Sequence, residues 1–435
     1  MSQYTAGELA KACNVTVRTV QYYHERGLLL PSTIGTGGRR IYTDDDLKRL
    51  KLICLLRSID LSLDDIDNIL KDHSVHSDIA FLLNEHAYLL KNEIFERKQK
   101  LKTIDYLINE LTTPSASNTN NLNDIATHMN NNPYRPKRIL INGGTVFVSR
   151  YTATYFVKKG YDVYVINRGN HPQVDGVKFI KSDRHLLNGI LKNIHFDAVL
   201  DTCSYKEMDV KDLLNELESY DDYIMISSSA VYPETLPQPY KETQPIGKNS
   251  IWKDYGTGKI AAEKYLLKHN PNAYILRPPY LYGPMNNVYR ESFVFDCAKA
   301  GRKFYIPKDG TMPLQFFHVE DLCLLMEKII QTHPKQHIFN VGNEEIIDIN
   351  KWVEMCYSIA GSDLEKVYIT DHNNQRDYFS FYDYDYTLDI TEMKKLLPVQ
   401  KSVYEGLKEA YAWYLEHPED VLKRDYIGFI DEYLA

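Results

Sequence analysis

Between residues 112 and 136, sixteen of twenty-five residues are Thr, Ser, Asn or Pro. A stretch this polar buries too little apolar surface to offset the entropy of ordering it, so it reads as a linker. The chain of 435 residues must therefore fold as at least two bodies, each with its own core, as its length also favours. Hydrophobic residues make up 43% and charged residues 25%, which predicts packed domains on both sides of the linker rather than a fibrous or disordered chain. No run approaches the roughly 20 apolar residues that cross a bilayer, and the N-terminus lacks a basic region followed by an apolar core. The expectation is a cytoplasmic protein with no membrane partner. The six cysteines, at 13, 54, 203, 297, 323 and 356, include no CxxC pair. Reduced thiols are expected, not a disulfide frame or a zinc site.

Charge is distributed unevenly ahead of the linker. Residues 11–57 hold nine Lys and Arg against four acids, whereas residues 58–112 hold eleven acids against six basic residues. A phosphate-facing surface would belong to the first fifty-odd residues alone, although the whole chain carries a net charge of -8. Thr5 and Glu8 form a capping-box pattern that opens a helix to Ala12, and Thr16 caps a second helix over 17–26 that stops at Gly27. Two short helices with a turn of about three residues make a helix-turn-helix. Glycines at 35, 37 and 38 break the chain, and 39–42 reads as a short strand with the shape of a basic wing. A third helix starts at 44, and a fourth runs around Ile66, Ile69 and Leu70. From 83 to 111 the positions Leu83, Ala87, Leu90, Ile94, Arg97, Leu101, Ile104, Ile108 and Leu111 repeat at heptad spacing, eight of nine apolar. This predicts a coiled coil and a homodimer through 83–111.

Tyr4 to Ala10, Val15 to Tyr23, Gly27-Leu28-Leu29, Arg40-Ile41-Tyr42 and Asp46 to Leu50 stand in one order over about 70 residues. In this the chain closely resembles the MerR family of transcriptional regulators. The resemblance implies a winged helix-turn-helix whose second helix enters the major groove of promoter DNA, an antiparallel coiled coil joining two subunits, and RNA polymerase as a further partner. The expected DNA-binding residues are Arg18 and Gln21 on the exposed side of the second helix, with Tyr22, Tyr23, Arg39, Arg40 and Tyr42. Gln21 stands where the family usually has Arg and Arg39 where it often has Tyr; the first means that promoter sequence preferences do not carry over with the resemblance. Metal-sensing members place Cys near the end of the dimer helix, but none lies between Cys54 and Cys203 here. His73 and His76 fall in a Ser- and Asp-rich loop that reads as a solvated turn, and no metal is expected.

Beyond residue 137 the pattern alternates. Strands are expected at 138–142, 162–166, 196–200 and 223–226, and a helix over 151–159 that stops at Gly160. Such spacing argues for an α/β doubly wound parallel sheet. Gly143-Gly144-Thr145-Val146-Phe147-Val148-Ser149 follows the first strand and opens a helix, where a dinucleotide fold places its phosphate turn. Tyr255 and Lys259 stand at i and i+4 on a predicted helix. They share a face, and the ammonium is expected to lower the phenol pKa so that Tyr255 serves as general acid or base. Ser227-Ser228-Ser229-Ala230-Val231-Tyr232 directly follows a strand and places hydroxyls at the carboxyl edge of the sheet.

Taken in order with Leu276 to Pro284 and Gln315 to Leu322, these motifs resemble the extended short-chain dehydrogenase/reductases of the NAD-dependent epimerase/dehydratase group, over about 137–410. The resemblance implies a Rossmann-like lobe holding a nicotinamide dinucleotide and a smaller C-terminal lobe facing a sugar nucleotide or similar alcohol. It implies Ser228 as the catalytic hydroxyl, with Ser229 the near alternative, Tyr255 as acid/base, and Lys259 as the group that holds the ribose. Gly143, Gly144, Thr145, Ser149, Arg168 and Asp183 complete the expected cofactor site, although Val146 and Ser149 occupy the second and third glycine positions. Asn167-Arg168 closes the second strand, where an acid would grip a ribose 2'-hydroxyl and Arg168 would meet a 2'-phosphate, so the cofactor leans to NADP over NAD.

The expected organisation is a winged helix-turn-helix over 1–75, a dimerisation helix over 76–112, the linker over 113–136 and an epimerase/dehydratase-like domain over 137–435. Two functions follow. One is a regulator whose second domain senses a dinucleotide or sugar-type effector. The other is an active NAD(P)-dependent epimerase, dehydratase or reductase that also controls its own gene.

Overall fold

The computed structural model describes residues 3–35, 39–59, 61–71, 97, 137–372 and 374–435. The chain divides into two units, Met1–Lys102 and Thr103–Ala435. The expected coiled coil, apart from Arg97, and the linker and the His73/His76 turn lie outside the described residues.

In the first unit, side chains close the helix ends as the sequence suggests. Strand β1 (Tyr4–Thr5) leads into α1 (Ala6–Ala12). There the Thr5 hydroxyl accepts the Glu8 N–H at 3.3 Å while the Glu8 carboxylate accepts the Thr5 N–H at 2.8 Å. Helix α2 (Val17–Glu25) is capped by Thr16, whose hydroxyl accepts the Thr19 N–H at 3.1 Å, and it ends before Gly27 at φ 76°. Strands β2 (Thr33–Ile34) and β3 (Arg40–Tyr42) follow. The unit expected to be all-α thus also holds a small antiparallel sheet in the order β1-β3-β2, with the expected basic strand at its centre. Helices α3 (Asp44–Ser58) and α4 (Leu63–Lys71) follow. One core, built on Leu9, Val20, Leu29, Leu50, Ile53 and Ile66, joins α1 to α4.

The second unit is built on seven parallel strands: β4 (Arg138–Asn142), β5 (Asp162–Asn167), β6 (Lys178–Lys181), β7 (His195–Asp201), β8 (Ser219–Ile226), β9 (Tyr274–Arg277) and β13 (Ile338–Asn340). Their order is β13-β9-β8-β7-β4-β5-β6, and every neighbouring pair is parallel. The order reverses between β4 and β7, the point at which open α/β sheets leave a crevice outside the carboxyl ends of their strands. Both faces are covered: along β4, Ile139 and Ile141 pack into one core and Leu140 into another.

The helix after β4, α5, spans Phe147–Lys158 and opens four residues earlier than expected. The Ser149 hydroxyl donates to the Val146 carbonyl at 2.8 Å and accepts its N–H at 3.4 Å, closing the helix start just after the glycines. Helix α6 (Glu207–Glu216) and helix α7 (Lys253–His269) pack together on one face of the sheet. After β9 the chain enters a separate core around Phe293, Phe304, Phe316, Trp352, Phe379 and Phe381. It is framed by β10 (Tyr280–Tyr282), β12 (Pro313–His318) and β14 (Ile346–Asp348), and by the pair β11 (Phe304–Pro307) and β15 (Lys366–Ile369).

A buried ion pair fastens α7 to the sheet. Arg277, at the end of β9, reaches Glu263 at 2.6 and 3.1 Å and donates to the Tyr232 hydroxyl at 2.8 Å. The Ser227 hydroxyl bonds the same carboxylate. Removing one partner of such a pair leaves an uncompensated buried charge. Glu263→Ala should therefore lower unfolding free energy by about 3–5 kcal/mol, read as a fall in denaturant midpoint for the second unit. A change under about 1 kcal/mol would mean that the pair is replaceable by solvent.

Candidate functional site

The crevice between β4 and β7 opens into a cavity of about 840 Å³ at the carboxyl edge of the sheet. Gly143 and Gly144 form its phosphate-type turn with φ of 120° and 93°, a left-handed backbone that glycine adopts without strain. Space also requires Gly144, because a Cβ there would stand 2.8 Å from Val165 Cγ1. Phe147 follows at φ 35°, a conformation that non-glycine residues seldom hold. Helix α5 begins at Phe147, and its first residues line the cavity, so the positive end of its dipole lies at the cavity edge.

Of the expected cofactor residues, Gly143, Thr145, Ser149, Arg168, Asp183 and Lys259 line this cavity, and Gly144 lies beneath it against Val165. Ser228, Tyr255 and Lys259 line the same space. At the end of β5, the Asn167 amide donates to the Gly143 carbonyl at 2.8 Å and to Gln173 at 2.9 Å, so it braces the turn, while Arg168 is exposed. Asp183 accepts the His185 N–H at 3.0 Å.

Two glycines bring the Tyr255 turn of α7 close to its neighbours. A Cβ on Gly256 would lie 2.6 Å from the Ala230 carbonyl oxygen, and one on Gly258 would lie 2.5 Å from that of Tyr205. The Ser229–Val231 turn and the loop after β7 therefore rest directly on the helix backbone. Ser228 accepts the Ala230 N–H at 3.2 Å and stands close enough to Tyr255 to influence its hydroxyl. Ser229, the alternative hydroxyl, is buried and lies near Tyr386 instead.

The electrostatics depart from expectation. The protein packed around the Tyr255 hydroxyl pushes the phenol above its ordinary value, and Ser228 is the neighbour that draws it down. Lys259 does not do so. Its ammonium donates to the Ser204 carbonyl at 2.7 Å and the Ile226 carbonyl at 2.8 Å, and it lies 4.9 Å from the Tyr205 ring centre. Only 2% of Lys259 is exposed, and burial brings its pKa down to about 8 against the opposing pull of Asp201, Cys203, Glu263 and Asp209.

Several residues that matter here were missed in the sequence. Asp201 ends β7 fully buried, accepting Asn142 Nδ2 at 3.1 Å, the Tyr223 hydroxyl at 2.7 Å and the Ser204 N–H at 3.1 Å. An acid closing an apolar strand run was the available signal. Tyr205, Arg184, Trp252, Arg290 and Arg376 also line the cavity, and no pattern marked them.

On the first unit, α2 presents Val17, Arg18, Gln21, Tyr22 and Glu25 to solvent, Arg39 is exposed and Arg40 half-buried. Tyr23 and Tyr42 correct the expectation of seven outward contacts. Both belong to the core, and the Tyr42 hydroxyl is sealed from solvent, so it does not face a phosphate in this conformation. Among the described residues, His318, Glu320 and Glu409 converge closely enough for a metal, but the Lys401 ammonium already bonds both carboxylates.

A two-domain class is thus defined: a winged helix-turn-helix unit joined to a dinucleotide-type α/β unit. Residues 4–73 match the model of the MerR HTH family regulatory proteins, and residues 139–342 match the NAD dependent epimerase/dehydratase family. A HTH-type transcriptional regulator, ZntR homolog, of Haemophilus influenzae is 32% identical over 112 residues, 26% of this chain and 83% of that protein. The chloroplast stem-loop binding protein of 41 kDa b of Arabidopsis thaliana is 26% identical over 303 residues, 63% of this chain and 78% of that protein. A UDP-glucose 4-epimerase from Thermotoga maritima, solved with UDP-glucose, shares the fold of the second unit at TM-score 0.54 and 20% identity, covering 65% of this chain and 99% of that one. The chain belongs to the MerR family through its first unit and carries an epimerase/dehydratase domain as its second. Among the described residues no helix is long and apolar enough to cross a membrane.

Lys259 gives the second unit a pH signature. Its folded pKa of about 8 lies below the ordinary 10.5, so between those values the unfolded chain binds the proton more tightly and stability rises with pH. The unfolding free energy of wild type minus that of Lys259→Met should climb from about pH 8 towards 10.5. A difference that stays flat across that window in denaturant titrations would contradict the buried ammonium.

Proposed function

We propose that the chain is a DNA-binding transcriptional regulator of MerR type whose second unit senses a nicotinamide dinucleotide, a sugar-nucleotide-like ligand, or both. The observation that carries this is the cavity at the sheet's switch point, lined by the turn that follows Gly143 and Gly144, in a chain whose other unit is a MerR helix-turn-helix. The proposed organisation is DNA binding over 1–75, dimerisation over 76–112 through the 83–111 seam, a tether over 113–136 and the effector domain over 137–435. Promoter DNA, RNA polymerase and the effector are the proposed partners, in the cytoplasm.

The cofactor fits the residues present. Gly143 and Thr145 line the cavity at the start of α5, where a pyrophosphate would sit, with Gly144 packed against Val165, and Ser149, Asp183 and Lys259 stand around the same space. The absence of an acid at Asn167 and the exposure of Arg168 favour NADP over NAD. When bound, such a cofactor supplies hydride exchange. Ser228 would orient a substrate hydroxyl and Tyr255 would hold or take its proton. A phenol held above its ordinary value and a lysine spent on backbone carbonyls favour sensing over rapid turnover. The alternative, an active epimerase, dehydratase or reductase, is favoured by one observation: Ser228, Tyr255 and Lys259 all line one cavity.

For DNA, Arg40→Ala should weaken binding on every sequence and reduce its salt dependence, whereas Arg18→Ala or Gln21→Ala should relax preference at one position. Full-length protein that protects no two-fold related site in a footprint at physiological salt would overturn the regulator reading.

For the cavity, a dinucleotide at 100 times its Kd should add about 2.7 kcal/mol of stability, and Gly144→Val should abolish that shift. Tyr255→Phe should keep dinucleotide binding. It should remove any oxidation, reduction or epimerisation if the unit turns over, and alter only ligand-dependent promoter activity if it senses. No stabilisation by any oxidised or reduced nicotinamide dinucleotide would remove the cofactor from the account.

A further inference from the structure

The first turn of α2 exposes a side chain whose chemistry differs from its neighbours. Val17, the first residue of the helix, keeps 44% of its surface exposed and takes no part in the core of the unit. The polar groups beside it are consumed. The Thr16 and Thr19 hydroxyls bond each other at 2.8 Å, and Thr16 also accepts the Thr19 N–H at 3.1 Å. Arg18, Gln21 and Tyr22, exposed on the same side, all carry hydrogen-bonding groups. Val17 offers only a branched apolar surface, which a partner must cover or leave in water.

In the major groove the base edges present one apolar group, the C5-methyl of thymine. The N-terminal residues of a recognition helix are those that meet base edges. We propose that Val17 is a specificity-determining residue that packs on a thymine C5-methyl, on the base pair next to the one that Arg18 reads. This rests on the DNA-reading function proposed above. Arginine's strongest base partner is guanine, through O6 and N7. Since Val17 and Arg18 are adjacent on one helical turn, each half-site carries a thymine beside that guanine. Covering one methyl-sized group changes affinity by about fourfold.

The test uses the full chain and a duplex selected by it from a random pool at physiological salt. Each thymine is replaced in turn by uracil, which removes the methyl and nothing else. Wild type should lose about fourfold in affinity at one thymine per half-site, next to the guanine at which Arg18→Ala loses its preference. Val17→Ala should bind the unmodified duplex about fourfold more weakly and show no further loss when that thymine becomes uracil. Alanine is the stronger helix former, so a folding defect is not expected from this exposed position. Uracil penalties of equal size in wild type and Val17→Ala, or none at any position, overturn the inference and leave the DNA-reading function standing. A wild-type chain that selects no duplex at all overturns that function and the inference together.

Discussion

The bond from the Asn142 amide to the Asp201 carboxylate, 3.1 Å long and buried on both sides, is the contact on which the second unit's site depends. It ties the ends of β4 and β7, the two strands between which the sheet order reverses. A crevice opens there because successive crossovers leave on opposite faces, and the strand ends must be joined without filling it. Asp201 also accepts the Ser204 N–H, and the Ser204 carbonyl in turn holds the Lys259 ammonium. Thr202 and Cys203 both donate to the Asn142 carbonyl, at 2.8 and 3.0 Å. The floor of the cavity is one connected polar network, and the three donors that the Asp201 carboxylate accepts are what make its burial affordable in a low-dielectric interior.

Two fastenings then fix α7 against that floor. Lys259 binds backbone in the loop after β7 and at the end of β8, and one turn later Glu263 binds Arg277 from β9 and Ser227 beyond β8. The glycines at 256 and 258 allow the close approach that these bonds need. Tyr255 is the exception. Its ring keeps 41% of its surface exposed and its hydroxyl leans on Ser228. A fastened frame with one half-exposed phenol over the cavity suits a site that registers a ligand, and it also suits one that passes a proton, which is why both readings share the same residues.

Much of this was legible from residue order. The capping box at Thr5 and Glu8, the Thr16 cap and the Gly27 stop are local chemistry, and the structure keeps them. The same holds for the parallel strands, whose apolar runs allow few other arrangements. The gathering of Ser228, Tyr255 and the glycine turn into one cavity could be anticipated only through the order of motifs. What failed to show were interactions whose partners are backbone atoms or distant side chains. Nothing in a Y-x-x-x-K pattern tells that the lysine faces the Ser204 and Ile226 carbonyls, and so its expected influence on the phenol was misplaced. Tyr22 and Tyr23 look alike in sequence, yet helical phase sends one to solvent and the other to the core. Tyr42 is buried because β3 is the central strand of its small sheet, a position that the sequence of one strand does not reveal.

If the second unit senses a ligand on behalf of the first, the two binding events must share a coupling free energy, and that energy is reciprocal. The most direct measurement is the affinity of the full chain for its selected operator with and without saturating NADP or NADPH, together with the affinity for that nucleotide with and without operator. The account predicts that both affinities change by the same factor, on the order of 5 to 150, and that Gly144→Val reduces that factor to one while leaving operator binding intact. Tight binding of both ligands with no change in either affinity would contradict it, and would leave a regulator and a dehydrogenase fold sharing a chain without sharing a signal.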